Sequence, residues 1–424
     1  MSEAEIEARV ANSRVVLWRI EPHKSVSQSY QELALACFEQ VRRILQERSS
    51  GQVLLQLVVA DTAQNALLLG LSGLLRTAAI ENPRLTGQIL LTAAQINAQE
   101  LLAQLQAELA VLPEHIVRYS QGSREVLRLQ ELEVGGQPAE VAFKDDGVYL
   151  ITGGLGGLGV LFAREILRQA AHARVILTGR SQLSAQKRRI LQSLCERSGA
   201  VEYEQLDVTD AQQVRQLIQR IMDEKKQLNG IIHAAGMRAD NFILKKTSEE
   251  FSGVLEPKVA GTVNLDEASR QIALDFLALF SSAAAVMGNS GQADYAAANG
   301  FMDQYAIYRN EQLAAGQRHG RTLSINWPLW REGGMSVDPQ TAQLFAERSG
   351  IFPLSTEAGM RAFYRMLALP LAQILVLSGD LPKLRTAVLY PHAAAASASA
   401  WRTPAADQKS EDEIEEQLAA LFSA

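Results

Sequence analysis

The sequence predicts an α/β fold, with a parallel sheet in the second half of the chain. Apolar strand candidates alternate with amphipathic helical stretches along most of the 424 residues, the pattern typical of parallel sheets covered by helices. A single domain averages about 150 residues, so the chain is long enough for more than one. A glycine-rich turn follows a strand candidate in the second half alone, at residues 152–159. The two halves are therefore expected to differ in function.

Composition and charge exclude several function classes. The net charge of −6 argues against a general nucleic-acid or anionic-membrane binder. No run of about 18 apolar residues occurs, so no membrane span is expected. The N-terminal residues carry charges and lack the apolar segment of a signal peptide. Cys37 and Cys195 are the only cysteines, which excludes a disulfide framework and predicts no metal site. The prediction is a cytoplasmic protein.

Residues 1–143 are predicted to form a structural subdomain. Its strand candidates are Val15–Trp18, Val53–Ala60 and Gln88–Thr92. Its helix candidates, by their i, i+3, i+4 apolar spacing, are Leu33–Leu45 and Glu100–Leu109. No phosphate-binding glycine loop follows any of these strands. The glycines of LLLGLSGLLR lie in a helix-like apolar run, so we predict a structural role for them.

Residues 144–392 are predicted to form the catalytic subdomain, and residues 393–424 a linker followed by the start of another helix. The near-continuous apolar runs of the second segment indicate strands buried on both faces. These strand candidates are Val148–Ile151, Arg174–Leu177, Val201–Leu206, Gly230–Ala234, Leu274–Phe280 and Thr322–Trp327. The final segment is rich in Pro, Ala and Ser, which is typical of linkers.

The turn at 152–159 is the strongest cofactor signal. It follows a strand, precedes a predicted helix over 160–170, and satisfies both the G-x-G-x-x-G and the T-G-x-x-x-G-x-G spacing. Glycines permit a tight turn and close approach of a pyrophosphate, and the helix N-terminus offers amide donors to it. The predicted cofactor-binding residues of this turn are Thr152, Gly153, Gly154, Leu155, Gly156, Gly157, Leu158 and Gly159.

The residues after the second and third strands bear on the choice of dinucleotide. NAD-binding proteins carry an acidic residue after the second strand, where this chain has Arg180. A guanidinium matches a phosphate and an acid would repel it, so NADPH is favoured; a plain surface arginine is the alternative. Asp207 either accepts a hydrogen bond from the adenine amine or caps the next helix. Thr178, Ser181 and Val208 complete the predicted contacts at these strand ends.

A serine and a tyrosine supply the candidate catalytic groups. Ser282 ends an apolar strand, and Tyr295 follows thirteen positions later, with Asn299 on the same helix face. Ketone reduction needs a donor that polarises the carbonyl, an acid that protonates the alkoxide and a cation that lowers the acid's pKa. Spacing favours Ser282 over Ser281 as the polarising donor.

The glycine turn and the Ser–Tyr spacing resemble the short-chain dehydrogenase/reductase family. Most members have Lys four residues after Tyr, where this chain has Asn299. That departure is similar to the ketoreductase domains of polyketide synthases, in which the Lys comes from the preceding helix, and Lys258 fits that place. The stretches at 280–306, 324–335 and 70–90 also resemble these domains. The resemblance implies two Rossmann-like, doubly wound parallel-sheet subdomains, the N-terminal one degenerate and without cofactor.

The same resemblance implies roles for individual residues. Tyr295 would donate the proton, Ser282 polarise the carbonyl, Lys258 lower the pKa of the tyrosine and Asn299 order a proton-relay water. The turn after the fourth strand would lie along the cofactor through Ala234, Ala235 and Gly236. His233, which precedes that turn, is predicted to be structural.

Motifs beside the substrate groove imply a stereochemical outcome. In this family a Leu-Asp-Asp motif goes with the D-configured alcohol, and a Trp before the catalytic Tyr with its opposite. Asp240 keeps the last Asp of the motif, while the Trp position holds Met287. A D-type (3R-like) alcohol is therefore expected. Gln292 and Trp330 complete the predicted substrate-facing set.

The implied substrate is a β-ketoacyl chain on the phosphopantetheine arm of an acyl carrier protein. The stretch RADNFILKKT resembles enzymes of assembly lines whose acyltransferases act in trans. Neighbouring synthase domains are the further expected partners, and residues 336–350 would form a lid. A stand-alone reductase of a small diffusible ketone and an inactive scaffold domain are the alternatives.

Overall fold

The computed structural model describes residues 13–18, 23–47, 51–111, 114–132, 143–198, 200–334 and 349–389, with positions 7, 10, 21 and 347. The predicted linker at 393–424 and most of the lid predicted at 336–350 lie outside these residues. Among the helices described, none combines the length and apolarity needed to cross a bilayer.

The first sheet has four strands in the order β1-β2-β3-β4. The first three strands run parallel and β4 pairs antiparallel to β3. A 3₁₀ helix at Asn65–Leu71 leads directly into α2. The other elements of this half are α1 Val26–Gln46, β1 Val53–Ala60, α2 Ser72–Glu81, β2 Leu85–Thr92, α3 Ala98–Leu109, β3 Ile116–Ser120 and β4 Ser123–Val126. The sheet is thus sequential and lacks the reversal of strand order that forms a ligand crevice.

One predicted strand of this half is wrong. Val15–Trp18 has no strand conformation, and no described strand pairs with it. Val16 and Leu17 are 43% and 56% exposed. A short apolar run becomes a strand when a partner strand accepts its hydrogen bonds, and the sequence of the run does not report that partner. The candidate Val53–Ala60 is a strand over the predicted span.

The second sheet has seven parallel strands in the order β11-β10-β9-β8-β5-β6-β7. Its strands are β5 Val148–Thr152, β6 Arg174–Gly179, β7 Val201–Gln205, β8 Gly230–His233, β9 Phe276–Ser282, β10 Arg321–Trp327 and β11 Gln373–Leu375. Its helices are α4 Gly157–Gln169, α5 Ala185–Ser198, α6 Ala211–Lys225, α7 Ser248–Ala268, α8 Ala283–Met287, α9 Ala293–Ala314, α10 Thr356–Ala368 and α11 Leu381–Leu384. All six predicted strands occur, which confirms the α/β fold class. The order reverses between β5 and β8, where parallel sheets bind ligands.

The two halves share one hydrophobic core. Helix α1 packs against α7, where Phe38 stacks on Phe251 with ring centroids 4.4 Å apart. Tyr30 of α1 donates a hydrogen bond to the Ala297 carbonyl on α9 at 2.8 Å. The first half therefore supports the two helices that carry Lys258 and Tyr295.

Two glycines, Gly70 and Gly300, bring the backbones of the halves into close contact. A Cβ added to Gly300 on α9 would lie 2.1 Å from the Gly70 carbonyl oxygen, and one added to Gly70 would lie 2.6 Å from the Gly300 carbonyl carbon. These distances leave no room for a side chain at either position. The glycines of the LLLGLSGLLR run thus have the structural role predicted for them.

Gly300→Ala is expected to lower the free energy of unfolding by about 2 kcal/mol, because the new methyl group forces backbone apart. Chemical denaturation of the purified chain measures this loss. Gly253→Ala is the matched control: it lies within α7 with nothing within 4 Å of the added Cβ. It should stabilise by about 0.5–1 kcal/mol as helical glycine is replaced. Equal effects of the two substitutions would contradict the packing argument.

Candidate active site

The candidate site lies at the carboxyl ends of β5, β8 and β9. Three features meet at this edge: the glycine turn after β5, the turn after β8, and the serines that end β9. Helices α7 and α9 add Lys258 and Tyr295. The parallel sheet brings these residues together although they span some 150 positions of sequence.

The glycine turn has the geometry of a backbone cradle. Gly153 has φ +65°, a conformation that favours glycine. The Gly154 amide donates to the Thr178 carbonyl at 3.0 Å, which ties the turn to the end of β6. A Cβ on Gly159 would lie 2.6 Å from the Gly153 carbonyl oxygen, and one on Gly157 would lie 1.9 Å from the Gly333 carbonyl oxygen. A side chain at Gly159 would fill the turn, and one at Gly157 would clash with the backbone at Gly333.

These features fit a dinucleotide pyrophosphate. Helix α4 begins after Gly156, which supplies no side-chain cap, so the first-turn amides remain available to an anion. Gly156 is exposed, whereas Thr152, Gly154, Leu155 and Gly159 are buried and support the turn. Leu158 packs partly buried against the core.

The residues after β6 lie at the surface beside this turn. Arg180 and Ser181 are exposed, and their carbonyls accept hydrogen bonds from Gln205 and Tyr203, at 3.1 and 2.7 Å. Thr178 is buried at the strand end. The Arg180 side chain is thus carried by an anchored backbone at the position where a 2′-phosphate would lie in a Rossmann-type site.

The structure contradicts one of the two roles predicted for Asp207, that of helix cap. Helix α6 is capped by Asp210, whose side chain accepts from the Gln212 and Gln213 amides. Asp207 instead accepts from the amide and hydroxyl of Thr209, at 3.0 and 2.8 Å. The sequence offered two aspartates before the helix, and the helix begins one turn later than Asp207. Val208, beside it, is buried in the core.

His233 is structural, as predicted. Its Nδ1 lies 2.6 Å from the Thr152 hydroxyl and its Nε2 lies 3.1 Å from the Pro257 carbonyl. Burial, followed by the charge of Lys258, lowers the pKa of His233 to about 3. The neutral ring accepts from Thr152 and donates to Pro257. It thereby joins the glycine-turn strand to the helix that carries Lys258, while the Ala234 amide donates to the Thr152 carbonyl at 3.2 Å.

Lys258 is buried behind the tyrosine ring. Its Nζ lies 5.6 Å from the Tyr295 ring centroid and donates to the Phe280 carbonyl at 3.0 Å. Burial lowers the pKa of Lys258 to about 8, and the Asp303 carboxyl acts in the opposite direction. A Cβ on Gly236 would lie 2.9 Å from Lys258 Cε, so the turn after β8 covers the lysine stem.

Tyr295 and Asn299 occupy one face of α9. The Asn299 side-chain amide donates to the Tyr295 carbonyl at 2.7 Å, and its Oδ1 is buried without a hydrogen-bond partner among the described residues. Burial raises the pKa of Tyr295, while hydrogen bonds with Asn299 and Ser282 lower it to a smaller extent. The phenol is therefore protonated at neutral pH, the form that a proton donor requires.

The two serines at the end of β9 have different environments. Ser281 is 4% exposed, donates to the Asn299 carbonyl at 3.2 Å and accepts from Asn326 at 3.0 Å. Ser282 is half-buried and accepts from the Ala284 amide at 3.2 Å. Ser281 is thus structural, and Ser282 is the serine that faces Tyr295.

Asp303 is a site residue that the sequence reasoning missed. It lies two helical turns after Tyr295 and is 2% exposed. Its carboxyl accepts from Ser324 at 2.6 Å and from Asn326 at 2.7 Å. Burial raises the pKa of Asp303 to about 7, against the opposing effect of these hydrogen bonds and of Lys258. The sequence shows its i+8 spacing from Tyr295. Its polar partners lie on β10, which is distant in sequence, so the spacing does not predict them.

The predicted substrate-facing residues separate into two groups. Gln292 donates to the Asp240 carboxylate at 3.1 Å, and Arg238 lies 3.6 Å from the same carboxylate. Met287 ends α8, shortly before Gln292 in the chain, and is half-buried. Trp330 is 1% exposed and packs on Gly359, where an added Cβ would lie 2.2 Å from its ring. Trp330 therefore packs in the core, because an indole on a core-facing segment is drawn to buried apolar surface, and its role beside the substrate stays a prediction.

Asp303→Asn is expected to change how stability depends on pH. The folded-state pKa of about 7 lies above the ordinary pKa of 3.8 for an aspartate. Between these values the folded chain binds a proton that the unfolded chain releases, so this group makes stability fall as pH rises. Melting temperatures at pH 5 to 8 should show the variant gaining several degrees relative to wild type as pH rises. A difference that stays constant with pH would contradict the assignment.

Comparison with known proteins identifies the family. The family model of the KR domain matches residues 147–332. Polyketide synthase PksN of Bacillus subtilis is 40% identical over 379 residues, which cover 89% of this chain and 7% of that protein. PksL of the same organism is 41% identical over 362 residues, covering 85% of this chain and 8% of that protein. The chain thus spans less than a tenth of these relatives.

A solved structure matches almost the whole chain. The crystal structure of a ketoreductase domain from the bacillaene assembly line superposes with a TM-score of 0.85 at 37% identity and covers 91% of this chain and 92% of that one. The resemblance inferred from the glycine turn and the Ser–Tyr–Asn pattern is confirmed. On this agreement of sequence, site and fold, the chain belongs to the ketoreductase domains of polyketide synthases.

Proposed function

We propose that this chain uses NADPH to reduce a β-ketoacyl thioester, held on the phosphopantetheine arm of an acyl carrier protein, to the β-hydroxyacyl thioester. The convergence of Ser282, Tyr295, Asn299 and Lys258 beside the glycine turn carries this proposal. Ketoreductase domains are oxidoreductases that bind a nicotinamide cofactor, and the choice of NADPH rests on Arg180.

The residues of this chain would hold the dinucleotide at three places. The amides at the start of α4 would bind the pyrophosphate, and Arg180 the 2′-phosphate. Because Asp210 caps helix α6, Asp207 has no capping role there, and its carboxylate would face the adenine. Ala234, Ala235 and Gly236 would lie along the ring system after β8. The bound cofactor supplies hydride to the carbonyl carbon.

The protein supplies the groups that act on the carbonyl oxygen. The Ser282 hydroxyl donates a hydrogen bond to that oxygen and polarises the ketone. The Tyr295 phenol then transfers its proton to the alkoxide oxygen as the O–H bond of the tyrosine breaks. The Lys258 ammonium, behind the ring, stabilises the resulting phenolate. The buried Asn299 Oδ1 has an acceptor position suited to a water that returns a proton to the tyrosine.

The groove residues support a stereochemical proposal. Asp240 is held by Gln292 and Arg238 beside the tyrosine helix. A fixed carboxylate at this place supports the D-type (3R-like) alcohol. The similarity to PksN and PksL supports a synthase in which acyltransferases act in trans, with the carrier protein and neighbouring domains as partners.

Tyr295→Phe is expected to lower kcat/KM by about 10²–10⁴-fold, because the phenol proton is lost from the transition state. The assay follows absorbance of NADPH with a 3-oxoacyl N-acetylcysteamine thioester. Tyr308→Phe is the matched control, since Tyr308 lies on the same helix and packs against Tyr305 in the core. Wild-type binding of NADPH without turnover of any thioester would support an inactive scaffold. Faster turnover of free ketones than of thioesters would support a stand-alone reductase.

Arg180→Ala is expected to raise the KM for NADPH by about tenfold or more and to leave the KM for NADH nearly unchanged, since NADH has no 2′-phosphate for the guanidinium. Initial rates with each cofactor measure this split. Arg189→Ala, an exposed arginine on the neighbouring helix α5, serves as the control. A wild-type preference for NADH would show that Arg180 is a plain surface residue.

A further inference from the structure

We infer that Glu81, in the cofactor-free half of the chain, is a positioning residue that controls stereoselectivity by holding together the two loops beside the substrate. This inference rests on the proposed function, because it concerns which face of the ketone is reduced. It assigns the first half a part in the reaction beyond support of the fold.

Glu81 uses its two carboxylate oxygens on two different loops. It ends helix α2 and is half-buried between the two halves of the chain. Its Oε2 accepts a hydrogen bond from the Ile243 amide at 2.8 Å. Its Oε1 accepts one from the Gly291 amide, also at 2.8 Å. One side chain therefore fixes the loop after β8 and the loop before α9.

The same two loops carry the residues proposed to set stereochemistry. Asp240 lies three positions before Ile243, and Gln292 directly follows Gly291. The Asn241 amide donates to the Gly291 carbonyl at 2.9 Å, and the Gln292 side chain donates to Asp240 at 3.1 Å. The loops thus contact each other beside the site, and the Glu81 carboxylate accepts a hydrogen bond from each of them.

The chemistry of this contact requires a carboxylate. Two backbone N–H groups, from separate loops, converge on one side chain, and a carboxylate offers an acceptor oxygen to each. A glutamine offers one oxygen, and its NH₂ group would face the second amide donor. Burial raises the pKa of Glu81, while the two amides and, to a smaller extent, the Lys246 ammonium lower it. The hydrogen bonds of Ile243 and Gly291 therefore favour the charged form.

A second contact from α2 braces one of the two loops. The Thr77 hydroxyl accepts from the Asn289 amide at 3.1 Å. Gly288, with φ +73°, lies so close that an added Cβ would be 2.9 Å from the Thr77 amide nitrogen. The loop between Met287 and Gln292 therefore rests on the end of α2, and Thr77 gives an independent way to loosen it.

Among the described residues, the Glu81 carboxylate has no hydrogen bond to Tyr295 or Lys258. It accepts hydrogen bonds from two loop amides, whereas Tyr295 and Lys258 are held by α9, α7 and the end of β9. Loss of the carboxylate should thus loosen the placement of the ketone more than it slows proton transfer. Cofactor binding, which rests on the glycine turn, should not change.

The test is chiral analysis of the 3-hydroxyacyl product formed from a 3-oxoacyl N-acetylcysteamine thioester and NADPH. Glu81→Gln should raise the fraction of the minor enantiomer about fivefold, as one hydrogen bond to a loop is lost. The KM for the thioester should rise and the KM for NADPH stay constant. Thr77→Val should shift the enantiomer ratio in the same direction. If Glu81→Gln fails to fold, Thr77→Val tests the inference in its place.

Glu108→Gln is the matched control. Glu108 is a buried carboxylate of the same half, and it accepts from Gln88, Tyr119 and Arg124. None of these partners belongs to the substrate loops. This control should lower the melting temperature and leave the enantiomer ratio unchanged.

The outcomes separate this inference from the proposed function. Wild-type turnover with a strong enantiomer preference, together with unchanged ratios in folded Glu81→Gln and Thr77→Val, would overturn the role of Glu81 alone. An equal shift in Glu108→Gln would also overturn it, because general destabilisation would then explain the change. A wild-type chain that reduces no thioester would overturn the proposed function and this inference together.

Discussion

The backbones of Gly70 and Gly300 touch where the 3₁₀ helix of the first half crosses α9. A contact this close fixes the two halves because neither backbone can be displaced without opening a core that contains Phe38, Tyr30 and Phe251. Helix α9 carries Tyr295 immediately before this contact. The position of Tyr295 is therefore set by packing between the halves as much as by the sheet below it.

Two ionisable side chains of the candidate site are buried beside that helix. Lys258 and Asp303 are nearly fully buried, and burial moves the pKa values of both toward neutrality, to about 8 and about 7. Asn326 and Ser281 link the carboxyl to the backbone of α9 through hydrogen bonds. Such polar networks are stable when their members are satisfied, while Lys258 is held behind the tyrosine by its own hydrogen bond to the Phe280 carbonyl.

The two halves differ in what the end of a helix binds. In the second half the amides at the start of α4 face the glycine turn and are suited to a phosphate. In the first half no described strand leads into such a turn, and the sheet lacks a reversal of strand order. Instead, the last residue of α2, Glu81, accepts two loop amides of the other half. The end of α2 thus braces two loops beside the site.

Elements with local signals could be predicted from the sequence. The glycine turn, the Ser282–Tyr295–Asn299 spacing and six strands of the second sheet follow from backbone freedom and periodicity that neighbouring residues specify. Tertiary structure decided what depends on distant partners. Val15–Trp18 belongs to neither sheet among the described residues, Trp330 is packed in the core on Gly359, and the roles of Asp303 and Glu81 arise from groups up to 210 positions away. A carboxylate in a sequence does not show which amides will reach it, because that depends on how the two sheets pack.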